Sequence, residues 1–331
     1  MSKLLEIKNL GVQYETDSGL VHAVNHLDLS VGRGETLGFV GETGAGKTTT
    51  ALAIMKLIAQ PPGKVSSGEI ILDGQDLFKV KERDMFNIRG NKVSMIFQDP
   101  MTSLNPIMTV GDQIEEVLSL HNKMTKEELK AEAERMLELV GIRKERINDY
   151  PHQFSGGMKQ RVVIAMALAC NPELIIADEP TTALDVTIQA QVLELIKDLK
   201  KQFNTSMILI THDLGVVAES CDNVSVIYAG TIIEHASVKD LYSETLHPYT
   251  VGLFNSIPSL DEDTDRLQVI PGSPPDPSNL PSGCKFHPRC THCMDICKET
   301  FPEFVEARPG HFVACHLYTK GSVPKEGAHG E

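Results

Sequence analysis

The 331-residue sequence contains no long hydrophobic run. Its longest uninterrupted apolar stretch, Val162 to Cys170, falls far short of the roughly 18–20 residues that cross a bilayer, so no membrane span is expected. Positive charge is also short: 31 Lys and Arg against 45 Asp and Glu leave a net charge of −14. That balance opposes nonspecific attraction to phosphate polymers or anionic lipid, and a nucleic-acid partner is set aside. The first ten residues, MSKLLEIKNL, lack the apolar core of an export signal and the Arg- and Ser-rich character of a transit peptide. The expectation is therefore a cytosolic chain with reduced cysteines. No internal repeat is evident. Apolar residues at 41% and charged residues at 23% are near globular averages, and at about 150 residues per domain the length predicts two domains.

Alternating apolar and polar residues at Leu4–Leu10 and His22–Val31 predict two half-buried strands, and the apolar run Thr36–Val40 a buried one. Further buried strands are expected at Val93–Phe97, Leu174–Ala177 and Met207–Ile210, interleaved with helical patterns. This predicts an α/β layer with a parallel core. Val224–Tyr228 and Thr231–His235 read as a closing hairpin. Thr125-Lys-Glu-Glu128 is a capping box that opens an amphipathic helix ending at Gly141. After Tyr249 the composition shifts toward Pro, Ser and Asp, with Pro271–Pro277 reading as extended linker. The boundary is placed near residue 250, giving domains 1–250 and 251–331.

Gly41-Glu42-Thr43-Gly44-Ala45-Gly46-Lys47-Thr48 matches G-x-x-x-x-G-K-[ST] after a predicted strand and before a helix expected over Thr49–Ile58. Glycines there let backbone N–H groups face phosphate oxygens, and the helix N-terminus adds partial positive charge. Lys47 would reach the β- and γ-phosphates and Thr48 would bind Mg²⁺. Leu174-Ile-Ile-Ala-Asp178-Glu179 would deliver carboxylates to the edge of the sheet where open α/β folds bind ligands. Asp178 suits Mg²⁺, and Glu179 can orient or deprotonate an attacking water.

Between these motifs, Phe154-Ser155-Gly156-Gly157-Met158-Lys159-Gln160-Arg161 resembles the signature motif of ABC ATPases. Met158 and Lys159 depart from its commonest spelling, while the Ser-Gly-Gly core is intact. Ser155 could also act simply as a helix cap. The resemblance spans residues 1 to about 250 and implies a P-loop fold with a mixed sheet and a helical subdomain carrying the signature. It implies that Tyr14 stacks on adenine and that Thr49 belongs to the nucleotide-binding loop. Gln98, in Phe97-Gln-Asp-Pro100, resembles the glutamine that touches Mg²⁺ and links the site to a membrane partner. Asp185, in Ala183-Leu-Asp185, resembles the D-loop, and His212, in Ile210-Thr-His-Asp213, the switch histidine at the γ-phosphate. In this family the signature of one subunit closes on the nucleotide of another, so Ser155–Lys159 and Asp185 would act in trans.

His247-Pro-Tyr-Thr250, Ser256-Ile-Pro258, Pro271-Gly-Ser-Pro-Pro275 and Gly283-Cys-Lys-Phe286 resemble the C-terminal extension of ATP-binding subunits of dipeptide/oligopeptide importers. Nickel importers share it. The resemblance implies a peripheral subunit on the cytoplasmic face of the membrane. It would be powered by ATP and Mg²⁺, pair with an identical or paralogous ATPase and act on two permeases. An extracytoplasmic peptide-binding protein would be an indirect partner. A soluble ABC ATPase with a regulatory tail is the rival reading.

Five of the seven cysteines fall between Cys284 and Cys315. Cys284-x₅-Cys290-x₆-Cys297-x₁₇-Cys315 offers four thiolates in a segment that reads as too poor in large apolar residues to fold by burial alone. Tetrahedral Zn²⁺, a [4Fe-4S] cluster and free or oxidised thiols all remain open on the residues. The resemblance implies the cluster, with Cys293 outside the ligand set. His287, His292, His311 and His316 read as supporting or surface residues, and the metal as the organiser of a docking surface.

Overall fold

A computed structural model of the chain describes residues 2–17, 19–182, 184–256 and 270–319. Ala183 of the D-loop stretch, and Ile257 and Pro258 of the Ser256-Ile-Pro258 stretch, lie outside the described residues. The strands are β1 (Lys3–Thr16), β2 (Gly19–Gly32), β3 (Thr36–Val40), β4 (Gly63–Leu72), β5 (Gln75–Asp76), β6 (Val93–Ile96), β7 (Leu174–Asp178), β8 (Ser206–Thr211), β9 (Asn223–Tyr228), β10 (Thr231–Ser237), β11 (Phe304–Arg308) and β12 (His311–Ala314). The helices are α1 (Lys47–Ile54), α2 (Glu82–Met85), α3 (Pro100–Ser103), α4 (Val110–His121), α5 (Lys126–Leu139), α6 (Gly156–Leu168), α7 (Val186–Phe203), α8 (Leu214–Ser220), α9 (Val238–Ser243), α10 (Pro248–Asn255) and α11 (Asp295–Glu299). Among the described residues no helix is long and apolar enough to cross a membrane.

The chain divides into two compact units. One takes the residues up to Leu5, Ser30–Thr36 and Ile71–Ile210; the other takes Glu6–Leu29, Leu37–Ile70 and the chain from Thr211 on. In the first, β6, β7 and β8 run parallel, with Val93 opposite Leu174 and Ile175 opposite Met207. Every residue of β7 is buried, which is why it reads as a continuous apolar run rather than an alternation. α5 starts on the capping box expected at Thr125, both reciprocal bonds being present. Gly141 follows with φ +75°, the left-handed conformation that closes a helix. Ala133, Met136, Leu137 and Val140 are buried.

In the second unit β3 and β9 are parallel, β9 and β10 antiparallel, and β12 joins β10 antiparallel with Glu234 opposite Val313. The sheet of this unit is therefore mixed. The expected hairpin turns at Ala229 and Gly230, both with positive φ (47° and 78°), matching the twist of the two strands. Helix α1 spans Lys47–Ile54 rather than Thr49–Ile58, because Lys56 turns left-handed at φ +53° and ends the spiral.

The C-terminal segment departs from expectation in one respect: it buries more than its composition suggests. Phe286 and Ile270 pack into a core with Val40, Val224, Val226, Tyr228 and Tyr249, so the segment borrows apolar partners from earlier in the chain. The extended stretch at Pro271–Pro277 is tied down too, the Pro277 carbonyl accepting the His22 N–H at 2.9 Å.

Candidate nucleotide site and C-terminal clamp

The chain leaves β3 at Val40 and turns through residues 41–46 into α1. Two glycines in this loop have no alternative. A Cβ on Gly41 would sit 2.3 Å from the Ile227 carbonyl oxygen, and Gly46, at φ +105°, would place one 2.5 Å from that of Ala23. The Gly230 N–H donates to the Ala45 carbonyl at 2.9 Å, so the β9–β10 turn props the loop. No side chain caps α1, and a helix N-terminus is where backbone N–H groups and the helix dipole favour an anion. Lys47 is only 6% exposed, and its Nζ donates to the carbonyls of Gly41 at 2.6 Å and Glu42 at 3.0 Å. Its ammonium is thereby curled over the loop it follows. Thr43, Gly44 and Thr48 are exposed and Thr49 half-buried. Tyr14, half-buried on β1, lies beside Gly63. His212 is exposed between β8 and Asp213, the residue whose side chain caps α8.

The other unit holds the acidic strand end. Asp178 closes β7 and is 3% exposed. Glu179 follows with φ +45°, a left-handed conformation that a non-glycine residue adopts only under constraint. Its own N–H donates to the Ile210 carbonyl at 2.9 Å. Its carboxylate accepts Gln98 Nε2 at 3.0 Å and the Thr182 hydroxyl at 2.8 Å, both on Oε2. Gln98 and Glu179, named separately from the sequence, are thus brought together. Thr182 is a partner that sequence reasoning missed.

Ser155 caps α6 by accepting the Met158 N–H at 3.4 Å, so the capping role and the signature motif coexist. Ser155 and Gly156 are exposed. Gly157 is required by packing, since a Cβ there would stand 2.5 Å from Ile188 Cγ2 of α7. Lys159 Nζ donates to the sulfur of Met101 at 3.1 Å, and Met158 Sδ accepts from Arg146 at 3.5 Å. Asp185 begins α7 exposed, its carboxylate making no cap bond.

The C-terminal residues reach the phosphate loop within the second unit. Arg289 forks onto Glu42, Nη1 to Oε2 at 2.8 Å and Nη2 to Oε1 at 3.1 Å. It also donates to Tyr228 Oη at 3.2 Å and, through Nε, to the Pro271 carbonyl at 3.0 Å. Burial by itself would lower the Arg289 pKa, but the bonds to Glu42 and Tyr228 raise it overall, so the guanidinium stays charged. The Glu42 N–H donates to Tyr249 Oη at 3.0 Å. Burial drives the Tyr249 pKa up, keeping that hydroxyl protonated. Tyr249 belongs to the His247-Pro-Tyr-Thr250 stretch, which thereby gains a physical purpose. Glu234, fully buried, accepts the N–H groups of Leu246 and His247 at 2.7 and 3.0 Å and pairs with His311 Nε2 at 2.8 Å. Nothing in the sequence pattern marks that pair.

Cys284, Cys290, Cys297 and Cys315 line one small pocket together with His247, Phe286, His287 and His316. All four are free thiols. Burial raises the Cys284 pKa to about 11 and that of Cys315 to about 12, and raises Cys290 as well. Burial lowers His247 to about 4. His287 contacts the Cys284 carbonyl and His316 that of Thr300. Cys293 is exposed and does not line the pocket. Among the described residues no three His, Cys, Asp or Glu side chains are grouped to hold a single metal ion. This arrangement gives no support to the expected [4Fe-4S] cluster or to Zn²⁺ as its alternative.

A P-loop after a buried strand, an acidic strand end and an intervening Ser-Gly-Gly helix start define an ATP-binding cassette. Residues 24–182 match the ABC transporter family and residues 233–297 the C-terminal region of oligopeptide/dipeptide transporters. The chain is 53% identical over 320 residues to the oligopeptide transport ATP-binding protein AppD of Bacillus subtilis, covering 96% of this chain and 98% of that protein. It is 50% identical to the oligopeptide transport ATP-binding protein OppD of Escherichia coli, covering 94% and 92%. The dipeptide transport ATP-binding protein DppD of Bacillus subtilis is 49% identical, at 96% and 95%. A dimeric structure of the ATP-binding cassette MJ0796 with ADP and Pi superposes with TM-score 0.64 at 28% identity, covering 71% of this chain and 98% of that one. The chain belongs to the ATP-binding proteins of the oligopeptide/dipeptide branch of ABC transporters, and it is an ABC-type ATPase.

Proposed function

We propose that this chain is the ATP-hydrolysing subunit of a di- or oligopeptide importer, working peripherally at the cytoplasmic face of the membrane. It pairs with a second ABC ATPase, identical or paralogous, and drives two permeases that an extracytoplasmic peptide-binding protein supplies. Residues 1–250 form the ATPase and 251–331 the importer-type extension. The observation that carries the reading is Glu179, fixed by Gln98 and Thr182 beyond the buried Asp178.

In the mechanism, the phosphates take the N–H groups of Gly41–Thr49 and the charge of Lys47, and adenine stacks on Tyr14. Glu179 accepts a proton from the attacking water, and His212 senses the γ-phosphate. Mg²⁺ suits Thr48, Gln98 and Asp178, hard oxygen donors of hydroxyl, amide and carboxylate type; it would neutralise developing phosphate charge. Ser155, Gly156, Gly157, Met158, Lys159 and Asp185 serve the partner subunit's nucleotide. Two half-sites must meet, so positioning is complete only in the dimer.

For the extension, Cys284, Cys290, Cys297 and Cys315 are the thiols that would hold a metal group, since all four line one pocket. Four thiols around a shared pocket are the ligand type of both a [4Fe-4S] cluster and tetrahedral Zn²⁺, and the likeness to the importer-type extension favours the cluster. The cluster would cross-link the segment, with thiol protons released on binding. Anaerobically prepared protein is expected to carry about four irons per chain. Cys290→Ser should lose them and Cys293→Ser keep them; a stoichiometric zinc content overturns the cluster. The function itself is tested by reconstituting the chain with permeases and measuring peptide uptake. Uptake that persists with Lys47→Ala would overturn it.

A further inference from the structure

The expectation that the cysteine segment serves only for docking passes over what Arg289 does. This residue sits in the single turn His287–Arg289 between Cys284 and Cys290. Its whole guanidinium is committed: two nitrogens to the Glu42 carboxylate, one of them also to Tyr228 Oη, and Nε to the Pro271 carbonyl. The side chain is 6% exposed and that of Glu42 25%, and the ring faces of Tyr228 and Phe286 flank the guanidinium at 5.9 Å. Such a shielded, two-pronged pair is far from a surface ion pair of negligible worth.

Glu42 is the second residue of the phosphate loop. Its carbonyl accepts from Lys47 Nζ at 3.0 Å and its N–H is held by Tyr249. A carboxylate at this position carries the same sign as the phosphates the loop receives. We propose that Arg289 is a positioning residue for ATP binding: by pairing with Glu42 it cancels that opposing charge and fixes the carbonyl that orients Lys47. ATP affinity thereby depends on the folding of the cysteine-bearing segment, so the extension regulates the site from 247 residues away in sequence. The inference rests on the reading of residues 41–49 as the ATP site and adds a regulator to it.

The test is a double-mutant cycle read as ATP affinity of the full-length chain by equilibrium titration, with kcat and KM measured in parallel. Arg289→Ala is expected to weaken ATP binding about tenfold, equivalent to about 1.4 kcal/mol, raising KM more than it lowers kcat. In a Glu42→Gln background the same substitution should cost less than about threefold, because no carboxylate is left to expose. Equal losses in both backgrounds, or no loss in either, overturn the proposal. Arg289→Lys keeps the charge without the fork and should recover part of the affinity. If Arg289→Ala does not fold, the lysine variant carries the same cycle, with a loss expected only while Glu42 is present and an equal loss in both backgrounds refuting it. Lys47→Ala separates the two readings: if it binds ATP as tightly as the wild type, the loop is not the ATP site, whereas weak binding there together with full binding by Arg289→Ala refutes Arg289 alone.

Discussion

Glu179 carries the sharpest expectation at the scale of single residues. Its carboxylate accepts from both Gln98 and Thr182 on one oxygen, and an amide in its place keeps an oxygen for those donors while losing basicity. Glu179→Gln should therefore bind ATP as before and lose turnover by at least about 100-fold, the usual weight of a general base. Wild-type hydrolysis by that variant in an assembled transporter would remove Glu179 from the chemistry. Glu234 is the structural counterpart. It is fully buried and serves Leu246, His247 and His311. Glu234→Ala would leave two N–H groups and an imidazole without their acceptor, and the expected cost is about 3–5 kcal/mol, read as a shift in the denaturation midpoint.

The elements differ in how openly the sequence declares them. β3 and β7 are continuous apolar runs ending on motif residues, and α5 is bracketed by Thr125 and Gly141, so each is legible from local pattern. The nucleotide loop is legible for the same reason, since its glycines and lysine are contiguous. β12 is not: it is four residues long and acquires meaning only by pairing with β10 through Glu234 and Val313. The Arg289–Glu42 pair leaves no periodic trace, because partners drawn from distant segments obey no spacing rule. The burial of the cysteine segment leaves no local trace for a related reason: Phe286 buries its ring against Tyr228 and Tyr249, at centroid distances of 5.3 and 5.5 Å. Phe286→Ala should cost about 3–5 kcal/mol and raise hydrogen exchange across residues 284–297 more than in β6–β8. Protection unchanged in that segment would show that the ring does not anchor it.

At the scale of the whole molecule, the proposed function divides the residues of the ATPase between those that would hold this chain's nucleotide and those that would serve another chain's. Lys47 and its loop are the proposed phosphate holders, while Ser155, Gly156 and Asp185, assigned to the partner's nucleotide, stand exposed, as does Val186 at 84%. If turnover needs the signature of one copy against the nucleotide of another, hydrolysis by the isolated chain should rise more steeply than linearly with protein concentration wherever identical chains can pair. A paralogous subunit with permeases should raise it further by supplying the complementary half-site at high effective concentration. Glu179→Gln, holding ATP without consuming it, should shift the population toward dimer in sedimentation when ATP is added, and Lys47→Ala should not. Fast turnover strictly proportional to concentration, from a chain that sediments as a monomer with ATP bound, would mean that one copy completes the site alone, and the assignment of Ser155–Lys159 and Asp185 to the partner's nucleotide would fall with it.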